Sequence, residues 1–116
     1  MKTIKEIAEE YNKMKDEDEV LIEPITIQSA EVFEKLLKEN KIQGYSIVPS
    51  PLGEIYFEWD TKKPVSLGVC INDKELAILE HLDQRVPSDF YIEDFNLNVE
   101  EEMDELISIL LELTND

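Results

Sequence analysis

The feature that most constrains this chain is a change of hydrophobic period at Tyr45. Before it, apolar residues recur every three or four positions; from Tyr45 to Leu82 they alternate; after Asn98 the helical spacing returns. Ile4, Ile7, Ala8, Tyr11 and Met14 define a first helix, with Thr3 and Glu6 in a capping-box pattern. The run Lys15-Asp16-Glu17-Asp18-Glu19 reads as a solvated connector. Pro24 blocks helix continuation, and Thr26 is expected to cap a second helix running to about Glu39. Ile27, Ala30, Phe33, Leu36 and Leu37 form its apolar stripe, closed by Asn40 and Gly44.

The alternating region reads as an antiparallel meander of about four strands. Tyr45 to Val48 precedes the turn Pro49-Ser50-Pro51-Leu52-Gly53, and Ile55, Phe57 and Trp59 then share one face of Glu54–Trp59. Asp60-Thr61-Lys62-Lys63 turns the chain into Val65–Ile71, and Asn72-Asp73-Lys74 turns it into Leu76–Leu82. A tight turn at Asp73-Lys74 sets Cys70 opposite Ala77 and His81 opposite Ser66. Ser66, Gly68, Cys70, Ala77 and Leu79 then form one small, half-polar face. The last helix is expected to pack there; otherwise a second chain docks on it. Pro87 to Leu97 reads as either an edge strand or a packed loop.

Asn98 is expected to cap the final helix, with Glu101 at the box position. Val99, Met103, Leu106, Ile107, Leu110 and Leu113 or Thr114 make its stripe, and Ile109 and Leu111 widen it. The pattern predicts one α+β domain over residues 1–116: two N-terminal helices, the meander, and an acidic C-terminal helix packed on the sheet.

Val48-Pro49-Ser50-Pro51-Leu52-Gly53-Glu54-Ile55-Tyr56-Phe57-Glu58-Trp59 resembles a hairpin of small, mostly uncharacterised bacterial and phage proteins. In these a helix rich in Ala and Leu precedes a V-x-P-x-x-x-G turn and a strand ending in Glu-Trp. The likeness covers about residues 24–82, with Ala30, Phe33 and Leu37 on the preceding helix. Asp18-Glu19-Val20-Leu21 stands where the pattern has a Trp-Asp-Gly segment. The resemblance implies a non-catalytic protein of a mobile-element or toxin neighbourhood.

The formal charge is −17, from 28 acidic and 11 basic residues. Residues 86–116 contribute −10, with ten acids and no Lys or Arg. A bare nucleic-acid or anionic-membrane binder is excluded by repulsion. One cysteine rules out an internal disulfide and suits a reducing cytoplasm, and no apolar run approaches the ~18 residues of a membrane span.

Catalytic chemistry finds little support. Cys70 and His81 stand about four residues apart along the predicted ladder, too far for a dyad. Glu101 and Glu105 share a helix face at i, i+4 but lack histidine partners, so no metal site is expected. Gly44, Gly53 and Gly68 are too scattered to cradle phosphate, and no cofactor is expected. The acidic end reads either as a solvated face or as the address of a basic partner. On the second reading the chain is an inhibitor that occupies the basic site of a nuclease, toxin or CRISPR effector. Glu93, Asp94, Glu100, Glu101, Glu102, Asp104 and Glu105 would make the contacts. The alternative is a self-associating structural or adaptor module using an apolar sheet or helix face; the sequence leaves the oligomeric state, monomer or homodimer, open.

Overall fold

The computed structural model describes residues 2–60, 65–83, 85 and 90–114. The elements run α1 (Ile4–Met14), α2 (Pro24–Glu39), β1 (Tyr45–Pro49), β2 (Ile55–Trp59), β3 (Val65–Ile71), β4 (Leu76–Asp83), β5 (Phe90–Asn96) and α3 (Glu100–Thr114). The strands pair antiparallel in chain order, β1-β2-β3-β4-β5. The α+β meander is as the alternation predicts, with one strand more. Phe90–Asn96 is an edge strand, which settles the reading of that segment; residues 86–89 lie outside the described residues, as do positions 61–63 of the expected Asp60–Lys63 turn.

The helices lie together on one face of the sheet. Ile55, Phe57 and Trp59 of β2, Leu67, Val69 and Ile71 of β3, Ala77 and Leu79 of β4 and Phe95 of β5 form a single core with the helices. Ile4 and Ala8 of α1, Ala30, Phe33 and Leu37 of α2, and Met103, Leu106, Ile107 and Leu110 of α3 complete it. The Phe33 ring meets Phe57 edge-on at 5.0 Å, and Tyr45 lies against both Phe57 and Trp59. Trp59 is 6% exposed, on the face predicted for it, and its indole N–H donates to the Gln43 carbonyl at 3.1 Å.

The capping box of α1 forms as the sequence indicates: the Glu6 N–H donates to Thr3 Oγ1 at 3.2 Å, and the Thr3 N–H donates to Glu6 Oε1 at 3.3 Å. The start of α2 corrects the expectation. Pro24 does not precede the helix but begins it, at the first position, where a missing N–H costs nothing. Thr26 lies inside the first turn, its N–H bonded to the Glu23 carbonyl and its hydroxyl buried without a hydrogen-bond partner.

The β3–β4 register is also one residue away from expectation. Cys70 pairs with Ile78, Ile71 with Ala77, and His81 with Leu67. The turn is three residues, Asp73-Lys74-Glu75, with Glu75 left-handed at φ 59°, rather than the two-residue turn assumed. The Asn72 side chain holds it by accepting from the N–H groups of Lys74 and Leu76. Because side chains alternate, this slip moves Ala77 and Leu79 to the core face and brings Ile78, Glu80 and Leu82 onto the face of Cys70, Gly68 and Ser66. The final helix therefore covers Ala77 and Leu79 on the core side, not the Ser66-Gly68-Cys70 face.

The acidic connector is anchored at its far end. The Asn12 amide both donates to the Ile22 carbonyl (3.0 Å) and accepts from the Ile22 N–H (2.8 Å), and the Tyr11 hydroxyl donates to the Val20 carbonyl. The Val20 N–H in turn donates to Pro51 O at 2.8 Å, laying residues 20–22 over the β1–β2 turn. Gly53 sits beneath them at φ +78°, with the Leu21 carbonyl oxygen 2.7 Å from where a Cβ would stand.

Candidate protein-binding surface

The connection from β5 into α3 is built on Asn96. Its Oδ1 accepts from the Asn98 N–H at 2.8 Å, its carbonyl accepts from the Val99 N–H at 3.1 Å, and its own N–H donates to Glu102 Oε1 at 3.1 Å. The Met103 N–H bonds to the Val99 carbonyl, so the helical ladder starts there. Asn98 is thus not the cap; its amide donates to Glu75 in the β3–β4 turn, at 3.0 Å. The glutamate that reaches back is Glu102, not Glu101. Asn96 forms an Asx turn earlier than the first asparagine-plus-acid pattern implied, which shifts the helix start to Glu100.

The seven acidic residues singled out in the sequence divide into three groups. Glu100, Glu101, Asp104 and Glu105 are exposed on α3, on the side away from Met103, Leu106, Ile107 and Leu110. Glu102 is half-buried and holds the Asn96 N–H. Glu93 and Asp94 are successive residues of β5 and point to opposite faces of the sheet: Glu93 pairs with core-side Leu79, Asp94 with Ile78 on the other face. Three acids in the first turn of α3 also favour the positive end of the helix dipole. Of the residues that widen the α3 stripe, Ile109 packs on the core and Leu111 is exposed.

The sheet face opposite the helices carries Val48, Tyr56, Cys70, Ile78 and Asp94 in one row, with Ser46, Glu58, Gly68, Glu80 and Ile92 in the next. Ser46, Val48, Glu58, Ser66, Phe90, Ile92 and Asp94 are exposed there. Cys70 is buried to 2% between its neighbours. Burial and then the Glu54 carboxylate push its thiol pKa up, and burial and then Cys70 push the Tyr56 phenol up. His81 pairs with Leu67 on the core side, so the sheet separates it from Cys70.

Sequence reasoning missed a groove between α1, the end of α2 and β1. Ile7, Ile42, Tyr45 and Ile47 line it together with Lys2, Lys38 and Lys41. The Tyr45 hydroxyl donates to Glu34 at 3.0 Å, and Lys38 lies 3.7 Å from the same carboxylate. Burial first, and the bond to Glu34 second, push the Tyr45 pKa up to about 12. The signal is the pair Lys38 and Lys41 at and just past the end of α2, which with Lys2 collects positive charge at one place in an acidic chain.

Among the described residues no helix is long and apolar enough to cross a membrane. Comparison with protein-family models, curated proteins and solved structures finds no match to this chain.

Proposed function

We propose that this chain is an acidic protein-binding inhibitor, which occupies the basic, phosphate- or nucleic-acid-binding site of a cytoplasmic partner such as a nuclease, toxin or CRISPR effector. The observation that supports it is the exposed carboxylate face of α3, formed by Glu100, Glu101, Asp104 and Glu105 in a segment without Lys or Arg. Four charges over six helical residues are one per ~2.2 Å of axis, at the ~1.5 Å helical rise. Duplex DNA carries one per ~1.7 Å. A helix of this charge density, held rigid on a sheet, meets a basic groove much as a phosphate backbone does. Such a contact is led by long-range attraction, so it forms fast and weakens with salt.

The test is capture of host proteins on the immobilised chain, repeated at rising salt and with Glu100, Glu101, Asp104 and Glu105 changed to Gln. The reading expects nucleic-acid-binding proteins that are lost with salt and with the Gln set, and that release their nucleic acid when bound. Capture indifferent to both treatments sinks it.

The exposed apolar residues of the open sheet face, Val48, Phe90 and Ile92, favour a second reading, a self-associating or adaptor module. Sedimentation separates the two: a monomer supports the inhibitor, a tight homo-oligomer the module.

A further inference from the structure

β5 is the last strand of the sheet, and its outer side is an open edge among the described residues. Successive residues of an antiparallel strand turn their N–H and C=O groups alternately toward and away from the neighbouring strand. The Leu97 N–H points back to the β3–β4 hairpin, donating to the Glu75 carbonyl at 3.0 Å, while the Asn96 N–H goes to the Glu102 carboxylate. Counting back by two from Asn96, the main-chain groups of Asp94, Ile92 and Phe90 face outward. The rung at Asn96 is closed by Glu102; among the described residues the next three have no partner.

The two edges of the sheet differ. β1 is five residues long, ends at Pro49 and packs against α1. β5 has seven residues and neither Pro nor Lys, the residues that usually blunt an edge. Phe90 and Ile92 are 54% and 51% exposed, and Tyr91 is exposed as well. A pleated edge with free main-chain groups and apolar side chains is a template for another strand.

We infer that β5 takes up an extended segment of the partner as a sixth strand, and that this segment alternates apolar residues with Lys or Arg. The inference rests on the proposed acidic-surface function and adds how the partner is held. Charge decides the occupant. Glu93 and Asp94 lie in the strand itself, and the α3 carboxylates follow it. A second copy would bring another −17 to the same edge and set like charges close together. Because side chains alternate, such a segment sets its apolar residues on the open face beside Phe90 and Ile92 and all its cations on the helix-side face, against Glu93.

The experiment uses the full chain, isotopically labelled, and two capped peptides of alternating Lys and Val. One is unmodified; the other is N-methylated along its length, which keeps the charge and removes every main-chain donor. The unmodified peptide is expected to slow amide exchange at Ile92 and Asp94 about tenfold or more, and the methylated one to leave it unchanged. Ile92→Pro removes an outward N–H that β4 does not use, a position where an edge strand accepts proline. It should weaken binding about tenfold, while Ile92→Thr should not. Should Ile92→Pro fail to fold by circular dichroism, the methylated peptide decides alone. Equal binding of both peptides, or shifts confined to α3, overturns strand addition and leaves the acidic function standing. Binding of neither peptide, or a free protein already dimeric through β5, overturns strand addition too; the salt and Gln measurements then decide the acidic function by themselves.

Discussion

The Glu102 carboxylate accepts a hydrogen bond from the Asn96 main-chain N–H at 3.1 Å, tying the first turn of α3 to the last residue of β5. A charged acceptor on a half-buried N–H contributes more than a neutral one. Glu102→Ala should therefore destabilise the fold by ~1–3 kcal/mol in urea unfolding, and Glu102→Gln by less. Loss of the same size in neighbouring Glu101→Ala would mean that first-turn charge, not this bond, is what matters.

Gly53 should not tolerate a side chain. Its φ of +78° is unfavourable for any L-residue, and an added Cβ meets the Leu21 carbonyl at 2.7 Å. Gly53→Ala should cost ~2–4 kcal/mol, combining left-handed strain with overpacking. The loss should appear as a lower urea midpoint with an unchanged slope.

Trp59 joins the core to the connection between α2 and β1 through its bond to Gln43. Trp59→Ala should cost ~3–5 kcal/mol, and Trp59→Phe substantially less, because the ring contact with Tyr45 is then kept. Equal stability of Trp59→Ala and the parent would contradict the burial of this ring.

The period change reveals what depends on local neighbours and hides what depends on distant ones. Thr3 and Glu6, and the alternation of Ile55, Phe57 and Trp59, depend on neighbours in sequence, so they were legible. The hairpin register hung on Glu75 adopting φ 59°, which a glutamate seldom does and which its letter does not announce. β5 was ambiguous because Phe90, Tyr91 and Ile92 are all exposed at an edge and give no in–out alternation. The acids of α3 were legible as an exposed face, but Glu102 was not separable from them, since its partner is the main chain of β5. The opposite directions of Glu93 and Asp94 become visible only once that strand is placed.

Alkaline pH should weaken the fold. Tyr45 is raised from its ordinary 10 to about 12, and Tyr56 and Cys70 are raised as well. Each group is neutral when protonated, and its folded pKa lies above the unfolded one. The folded state therefore holds protons that the unfolded state has released. Stability from Tyr45 is full below about pH 10 and is lost as pH rises through 12. The melting temperature should fall across this window, and Tyr45→Phe should fall less steeply. A flat profile to pH 12 would exclude the linkage.

Cys70 should be unreactive in the folded protein. It is 2% exposed, and burial holds its thiol in the protonated, poorly nucleophilic form. A disulfide reagent at pH 8 should label it only at the rate of unfolding, measured by absorbance, and full labelling in denaturant provides the control. Rapid labelling of the native protein would show that Tyr56 and Ile78 do not cover it.

Asn12 gives the main chain of Ile22 one donor and one acceptor side by side, the pair of groups that a flanking strand would otherwise supply. A single amide thus stands in for a length of backbone, and only one side chain has both the reach and the two-sided chemistry. Aspartate lacks the donor, leucine has neither group, and glutamine is a methylene too long. Position 12 is therefore a spelling constraint: the charged connector beside it is free to vary, while the letter that fastens it is not.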